Sequence, residues 1–403
     1  MAPSRFGLAS IWPAFLALVL LLQHVDAAAM QKRAEEAGLG PLAPDTPEVM
    51  AITHKANAKM GLDEAPDVAM QRIHDRYMQN IYADMAPGCT KDNIAVRKEW
   101  SDLSDEMKRS FISACHCMAN LPAKTSRTWA PGVRNRWDDW VAPHIHNWRD
   151  IHFSVWNAIW HRKFVVNMER ALRQECGYIG YMPFFDWSRY VGMAPEDWPL
   201  FDGSDTSISG DGDHRSETCS FVTTGPFQNW TVNMGPVPGT TVCIDNPTED
   251  GLAYNPRPLE RQFDSGMLQN LTYEKVAATI QNVEDMNEWV LRIEARGVGL
   301  HSMPHAFMGG LQANIPASAG DCWFFLHHCM LDRMWSFWQL QDPANRLYQI
   351  ATNQHEFDPF RTGWEPAPPI SLDATIHISD IFLDVKVRDV MSTTQGDLCY
   401  MYE

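Results

Sequence analysis

The sequence predicts a mainly α-helical chain with long loops and a few short β-strands, and three observations carry that prediction. Apolar residues recur at helical spacing through several long segments that begin at capping residues and end at Gly or Pro. Residues 197–262 are instead dense in Gly, Asp, Ser, Thr and Pro, the composition of a long irregular excursion with short strands. With 403 residues, 45% of them hydrophobic and 11% aromatic, the chain can bury a large core as one big domain or two small ones.

In chain order, residues 1–29 have the layout of a secretory signal peptide. Arg5 supplies the basic start, "IWPAFLALVLLL" the apolar stretch and "DAAA" a small-residue cleavage site. Twelve residues are too few to span a bilayer, and no later segment reaches spanning length, so the mature protein is expected to be soluble and secreted. Lys32-Arg33 marks a candidate processing site, which would leave a short propeptide near residues 30–33. Residues 30–88 read as a helical lead-in rich in Ala, Glu, Lys and Met, with Gly and Pro breaks near 38–47 and 87–88.

The next helix starts at Ser104, whose hydroxyl suits an N-cap, carries Asp105 and Glu106 in its first turn, and stops at Pro122. A further helix runs through "SVWNAIWHRKFVVNMERALRQECG" and ends at Gly177. Within the excursion, "DGSDTSISGDGD" lacks the terminal Glu of a calcium loop and reads as a solvated loop. Helices return at about 272–296 and 324–341, the latter closed by Asp342-Pro343. The alternation in "IHISDIFLDVKV" suggests a strand.

A formal charge of −17 with no basic run argues against nucleic acid and against an anionic membrane surface as partners. Nine cysteines in a secretory chain suggest disulfides, and the odd count leaves at least one thiol unpaired. Asn229-Trp-Thr231 and Asn270-Leu-Thr272 are glycosylation sequons.

The chain has fifteen histidines, and their placement is uneven. "VGLHSMPHAFMGG" holds His301 and His305, which on a helix project from one face as two ligands of one metal would; "DCWFFLHHCMLDRMWSFWQ" holds His327 and His328. Ser302 follows the first of these, where a zinc protease would need Glu as general base, so that chemistry lacks its base. Upstream, "APHIHNWRDIHFSVWNAIWHRKF" holds His144, His146, His152 and His161. Nine residues at about 100° each put His152 and His161 on opposite sides of a helix, so one of them must sit in a turn if both bind one metal. Two clusters that each offer three imidazoles, with few carboxylates between, favour copper over magnesium, calcium or non-haem iron and leave zinc open.

The strings "DDWVAPHIHNWRDIHFSVWNAIWHRKF", "LRQECGYIGYMPFFDWS", "GLHSMPHAFMGG" and "DCWFFLHHCMLDRMWSFWQLQDPANR" resemble the tyrosinase and catechol oxidase family of type-3 binuclear copper proteins, in its short, secreted fungal form. The resemblance runs from "CTKDNIAVRKEW" to "LCYMYE" and implies a central helical bundle holding two copper ions, with a catalytic domain over 89–403 and no C-terminal lid. Matched residue by residue, His144, His152 and His161 fall on the copper A ligands, and His301, His305 and His328 on copper B. His328 is taken over His327 because it stands four residues before Asp332, which would orient ligand imidazoles; His327 and His146 then become supporting residues. Glu294 resembles the family's water-holding Glu, and Ser302 stands where tyrosinases often carry Asn. Ile315 falls on the gate position, Cys322 replaces the usual Pro after Asp321, and the thioether Cys of many relatives is missing between His144 and His152. Disulfides Cys89–Cys399, Cys117–Cys176 and Cys219–Cys243 are implied as well.

The resemblance therefore implies a copper-dependent oxidase that uses O₂ to turn o-diphenols into o-quinones, with monophenol hydroxylation the weaker activity. One alternative is a tailoring oxidase acting on a tyrosine-containing peptide or an aromatic secondary metabolite. Another is an O₂ carrier, although carriers match this chain only around the copper motifs.

Overall fold

The computed structural model describes residues 61–216, 219–237, 243–295, 299–350 and 370–403. The expected signal peptide and the processing site near 30–33 lie outside them. The frame is helical. Helix α1 (Pro66–Asp84) begins with Pro in its first turn, where a missing N–H costs nothing, and buries Ala69, Met70, Ile73, Tyr77 and Ile81 along one face. Helix α2 (Asp105–Asn120) starts as the sequence indicates, with the Ser104 hydroxyl accepting the N–H of Met107.

Helix α3 (Asp138–Ile151) was not anticipated, because it runs through Pro143. It ends at His152 in extended conformation, and helix α4 (Trp156–Cys176) follows, closed by Gly177 at φ 68° with its N–H on the Leu172 carbonyl. The expected helix over 272–296 is two helices, α5 (Tyr273–Asn282) and α6 (Met286–Glu294). Asp285 breaks it by capping: its carboxylate accepts the N–H of Glu288 at 2.9 Å. Helix α7 (Ser302–Met308) is short, and helix α8 (Trp323–Gln341) is buried on all sides from Trp323 to Leu340. A helix buried on every side belongs at the centre, and α8 packs against α1, α4 and α5 while α2 and α3 flank α4.

The strands are short. β1 (Ala95–Arg97) pairs in parallel with β6 (Tyr400–Tyr402), joining distant parts of the chain. β2 (Thr231–Val232) and β3 (Arg257–Pro258) form the small ladder within the irregular stretch. The expected tail strand is instead a hairpin of β4 (Thr375–Ile376) and β5 (Val385–Lys386). Its alternation reflects a loop in which Phe382 packs edge-on to Trp140 and His377 hydrogen-bonds Asp384.

Disulfides join Cys89–Cys399, Cys117–Cys176 and Cys219–Cys243, and Cys115, Cys322 and Cys329 are free and buried. Cys89–Cys399 closes the longest loop, with a sequence separation of 310. Cys89→Ser should therefore lower unfolding stability by about 2–5 kcal/mol, read from the denaturant midpoint under non-reducing conditions. An unchanged midpoint would show that the β1–β6 ladder holds the ends without it. No helix among the described residues is long and apolar enough to cross a membrane.

Candidate metal centre

Three of the candidate ligands come from the α3–α4 hairpin. His144 lies within α3, His152 at its end and His161 within α4, so the break between the helices removes the opposite-face problem posed by their spacing. All three are buried. His152 Nδ1 bonds the Trp148 carbonyl at 2.7 Å, His161 Nδ1 the Asn157 carbonyl at 2.7 Å and His144 Nδ1 the Pro316 carbonyl at 2.8 Å. A carbonyl can only accept, so each Nδ1 carries the ring proton and each Nε2 is left as a lone pair.

That assignment tests whether a metal fits. His144 Nε2 and His161 Nε2 stand 3.3 Å apart with no proton to share, so their approach is not a hydrogen bond but two lone pairs directed at one space. The Nε2 of His152 is buried without a partner. A cation between these nitrogens removes the conflict, and the set fits one. Burial, reinforced by His301, pushes the His152 pKa down to about 4. Burial and neighbouring imidazoles hold His144 and His161 well below the ordinary histidine value, so all three are neutral at pH 7, the form that ligates a metal.

The second set is built on α7 and α8. His301 caps α7 and His305 lies one turn on, with ring centroids 4.9 Å apart. His301 Nδ1 donates to Glu294 Oε2 at 2.9 Å, which leaves its Nε2 buried and unpartnered; both nitrogens of His305 are buried and unpartnered too. By proximity the third member is His327, whose nitrogen lies within 4.8 Å of those of His301 and His305. His327 Nε2 donates to the His301 carbonyl at 3.1 Å, which leaves Nδ1 buried and unpartnered, and the ring is sandwiched between Trp323 and His301 at interplanar angles of 8° and 11°. His328 faces the first triad, its ring stacked on His161 at 4.1 Å, with both nitrogens buried and unpartnered. Burial and adjacent imidazoles hold His305, His327 and His328 well below the usual value.

Glu294, the last residue of α6, is buried and fully engaged. Oε1 accepts the Asn157 amide at 2.5 Å and the Phe153 N–H at 3.2 Å, while Oε2 takes His301. Burial pushes its carboxyl up, but His301, His152 and these hydrogen bonds outweigh burial and hold it below the ordinary glutamate value. Ser302 is half-buried, its hydroxyl 3.4 Å from the carbonyls of Ala295 and Gly299. Ile315, expected at the gate position, opens the turn 315–320 and directly precedes the carbonyl that holds His144.

Asp332 does not touch an imidazole. Its carboxylate bonds Arg162 Nε at 2.5 Å and the hydroxyls of Tyr400 and Tyr402 at 2.7 and 2.6 Å, with Arg97 at 3.5 Å. The expected orienting role falls instead to Glu294 and to backbone carbonyls. Two of these carbonyls could have been found from sequence, since Trp148 and Asn157 each stand four residues before the histidine they hold. Pro316 gives no such signal, because it is distant in sequence from His144.

The family profile described as the common central domain of tyrosinase matches residues 134–341. The chain is 36% identical over 292 residues to the tyrosinase-like protein orsC of Emericella nidulans, covering 65% of this chain and 78% of that one. It is 32% identical over 344 residues to tyrosinase P of Aspergillus terreus, covering 79% and 94%. N-acetyl-6-hydroxytryptophan oxidase ivoB of Emericella nidulans is 29% identical over 355 residues, covering 78% and 94%. Among solved structures, a polyphenol oxidase variant of Thermothelomyces thermophila superposes with a TM-score of 0.73 at 32% identity, covering 90% of this chain and 100% of that one.

Proposed function

The chain belongs to the tyrosinase family, a copper oxidoreductase acting on phenols with O₂, and from that premise we propose that its main reaction is the oxidation of o-diphenols to o-quinones. The observation that carries the site is the pair of unprotonated nitrogens of His144 and His161, facing each other across 3.3 Å. His144, His152 and His161 hold one copper ion and His301, His305 and His328 the other. The choice of His328 is supported by its two unpartnered nitrogens, whereas His327 has Nε2 committed to a backbone carbonyl and only Nδ1 unpartnered. When bound, a copper pair supplies the activation of O₂ that an all-protein site cannot.

The chain's own part is positional. Backbone carbonyls and Glu294 set the tautomer of each ring they touch, which fixes the nitrogen offered to the metal. A chelator that removes the copper should abolish turnover, and added Cu²⁺ should restore it.

Glu294 and Ser302 are read as the residues that set the balance between substrates. Ser302 offers a hydroxyl where an amide would hold water more firmly, and monophenols need help with deprotonation that o-diphenols need less. Oxygen uptake with catechol should exceed that with tyrosine, a tyrosine-containing peptide and o-aminophenol, and Ser302→Asn should narrow the gap between matched monophenol and diphenol several-fold. If tyrosine or the peptide outruns catechol, the ordering is wrong. The tailoring reading then leads, which the similarity to an N-acetyl-6-hydroxytryptophan oxidase supports. Secretion through an N-terminal signal peptide completes the reading, consistent with the disulfides.

A further inference from the structure

Asn157 lies in the first turn of α4, buried between the two sets of histidines. Its backbone carbonyl accepts Nδ1–H of His161 at 2.7 Å. Its side chain bonds Glu294 Oε1 at 2.5 Å, and the other oxygen of Glu294 holds His301 at 2.9 Å. One residue therefore touches the supports of both triads.

The direction of the amide follows from its partner. A carboxylate accepts only, so Asn157 presents its NH₂ group to Glu294. The same nitrogen lies 3.4 Å from His301 Nδ1, but that ring proton is already committed to Glu294, so two donors meet there and the approach is packing alone. Glu294 Oε1 also accepts the N–H of Phe153, next to His152. Phe153 has φ 55°, in the left-handed region that a phenylalanine keeps only when its surroundings hold it. The space bordered by Asn157, His161, Trp289 and His328 is about 10 Å³, room for a single water at most.

We propose that Asn157 is a positioning residue for the oxidation: it locks Glu294, and through Glu294 the ring of His301, to the helix that carries His161. The two triads are thereby held in one register, as a reaction that needs both metals requires. The inference rests on the copper-pair reading of the triads.

The test compares the wild type with Asn157→Leu, which keeps the approximate shape and loses the donor, with Glu294→Gln, and with the double variant. Each is loaded with copper. Two quantities are read: the rate of copper loss to a chelator, and the electron paramagnetic resonance signal of magnetically isolated copper. Asn157→Leu is expected to lose copper about 10–100-fold faster and to gain that signal. The double variant should be no worse than Glu294→Gln alone, because Asn157 acts through Glu294. Asn157→Ala, smaller and without a donor, serves the same comparison if the Leu variant does not fold. Wild-type copper retention in the folded Asn157 variant, or losses that add fully in the double variant, would overturn the proposal. A wild type that binds no copper pair would instead overturn the reading beneath it.

Discussion

Replacing His161 by Ala leaves its copper with two protein ligands, and o-diphenol oxidation falls to background. His161 is buried in α4, its ring held by the Asn157 carbonyl with Nε2 directed at the space shared with His144. His305→Ala is expected to do the same from the other side, since His305 brings two unpartnered nitrogens to the second set. Copper content should drop from two ions towards one in each variant, while thermal unfolding of the metal-free forms shifts little. Full activity in either variant would mean that the ligands are misassigned. A parallel His328→Ala and His327→Ala pair decides between the adjacent histidines: loss of one copper is expected from the first and not from the second.

Asp332→Ala is expected to be the most destabilising single change away from the metal ligands. Asp332 is buried and accepts from Arg162, Tyr400 and Tyr402, with Arg97 beside it, so it fastens β6 to α8 and α4 at one point. Its carboxyl is held below the ordinary aspartate value: burial opposes this, but Arg162, Arg97 and the two tyrosines outweigh burial. Removing it leaves the Arg162 guanidinium buried without its carboxylate, while Arg97 keeps Glu169 at 2.9 Å. A loss of about 3–5 kcal/mol follows from breaking a buried pair in this way. Denaturant unfolding measures it. Because Asp332 contacts no imidazole, the fraction that remains folded should still carry two copper ions; a selective loss of copper would restore the ligand-orienting role expected from sequence.

The sequence exposed the parts whose signals are local. Ser104 as a cap, Gly177 as a stop and a helix closed by Asp342-Pro343 all follow from composition and spacing, and the structure places them there. The pairing of histidines into triads needed the family resemblance, because spacing alone left zinc open and put His152 and His161 on opposite faces. Elements set by tertiary contacts were not legible. Pro143 hides α3, Asp285 divides an apparently continuous helix, and the alternation in the tail belongs to a hairpin loop packed on Trp140. Asp332 shows the same limit at the site. Four residues after His328 it looks like a ligand's partner, yet the guanidinium of Arg162 and the hydroxyls of two distant tyrosines claim it.

Metal analysis of the purified, copper-loaded protein, paired with o-diphenol turnover on the same sample, tests the central claim most directly. Two copper ions per chain, with activity that rises in proportion to copper and disappears on chelation, is the predicted result. One metal ion per chain, a preference for zinc over copper, or a loaded protein that consumes no O₂ with catechol, tyrosine or the peptide would contradict it.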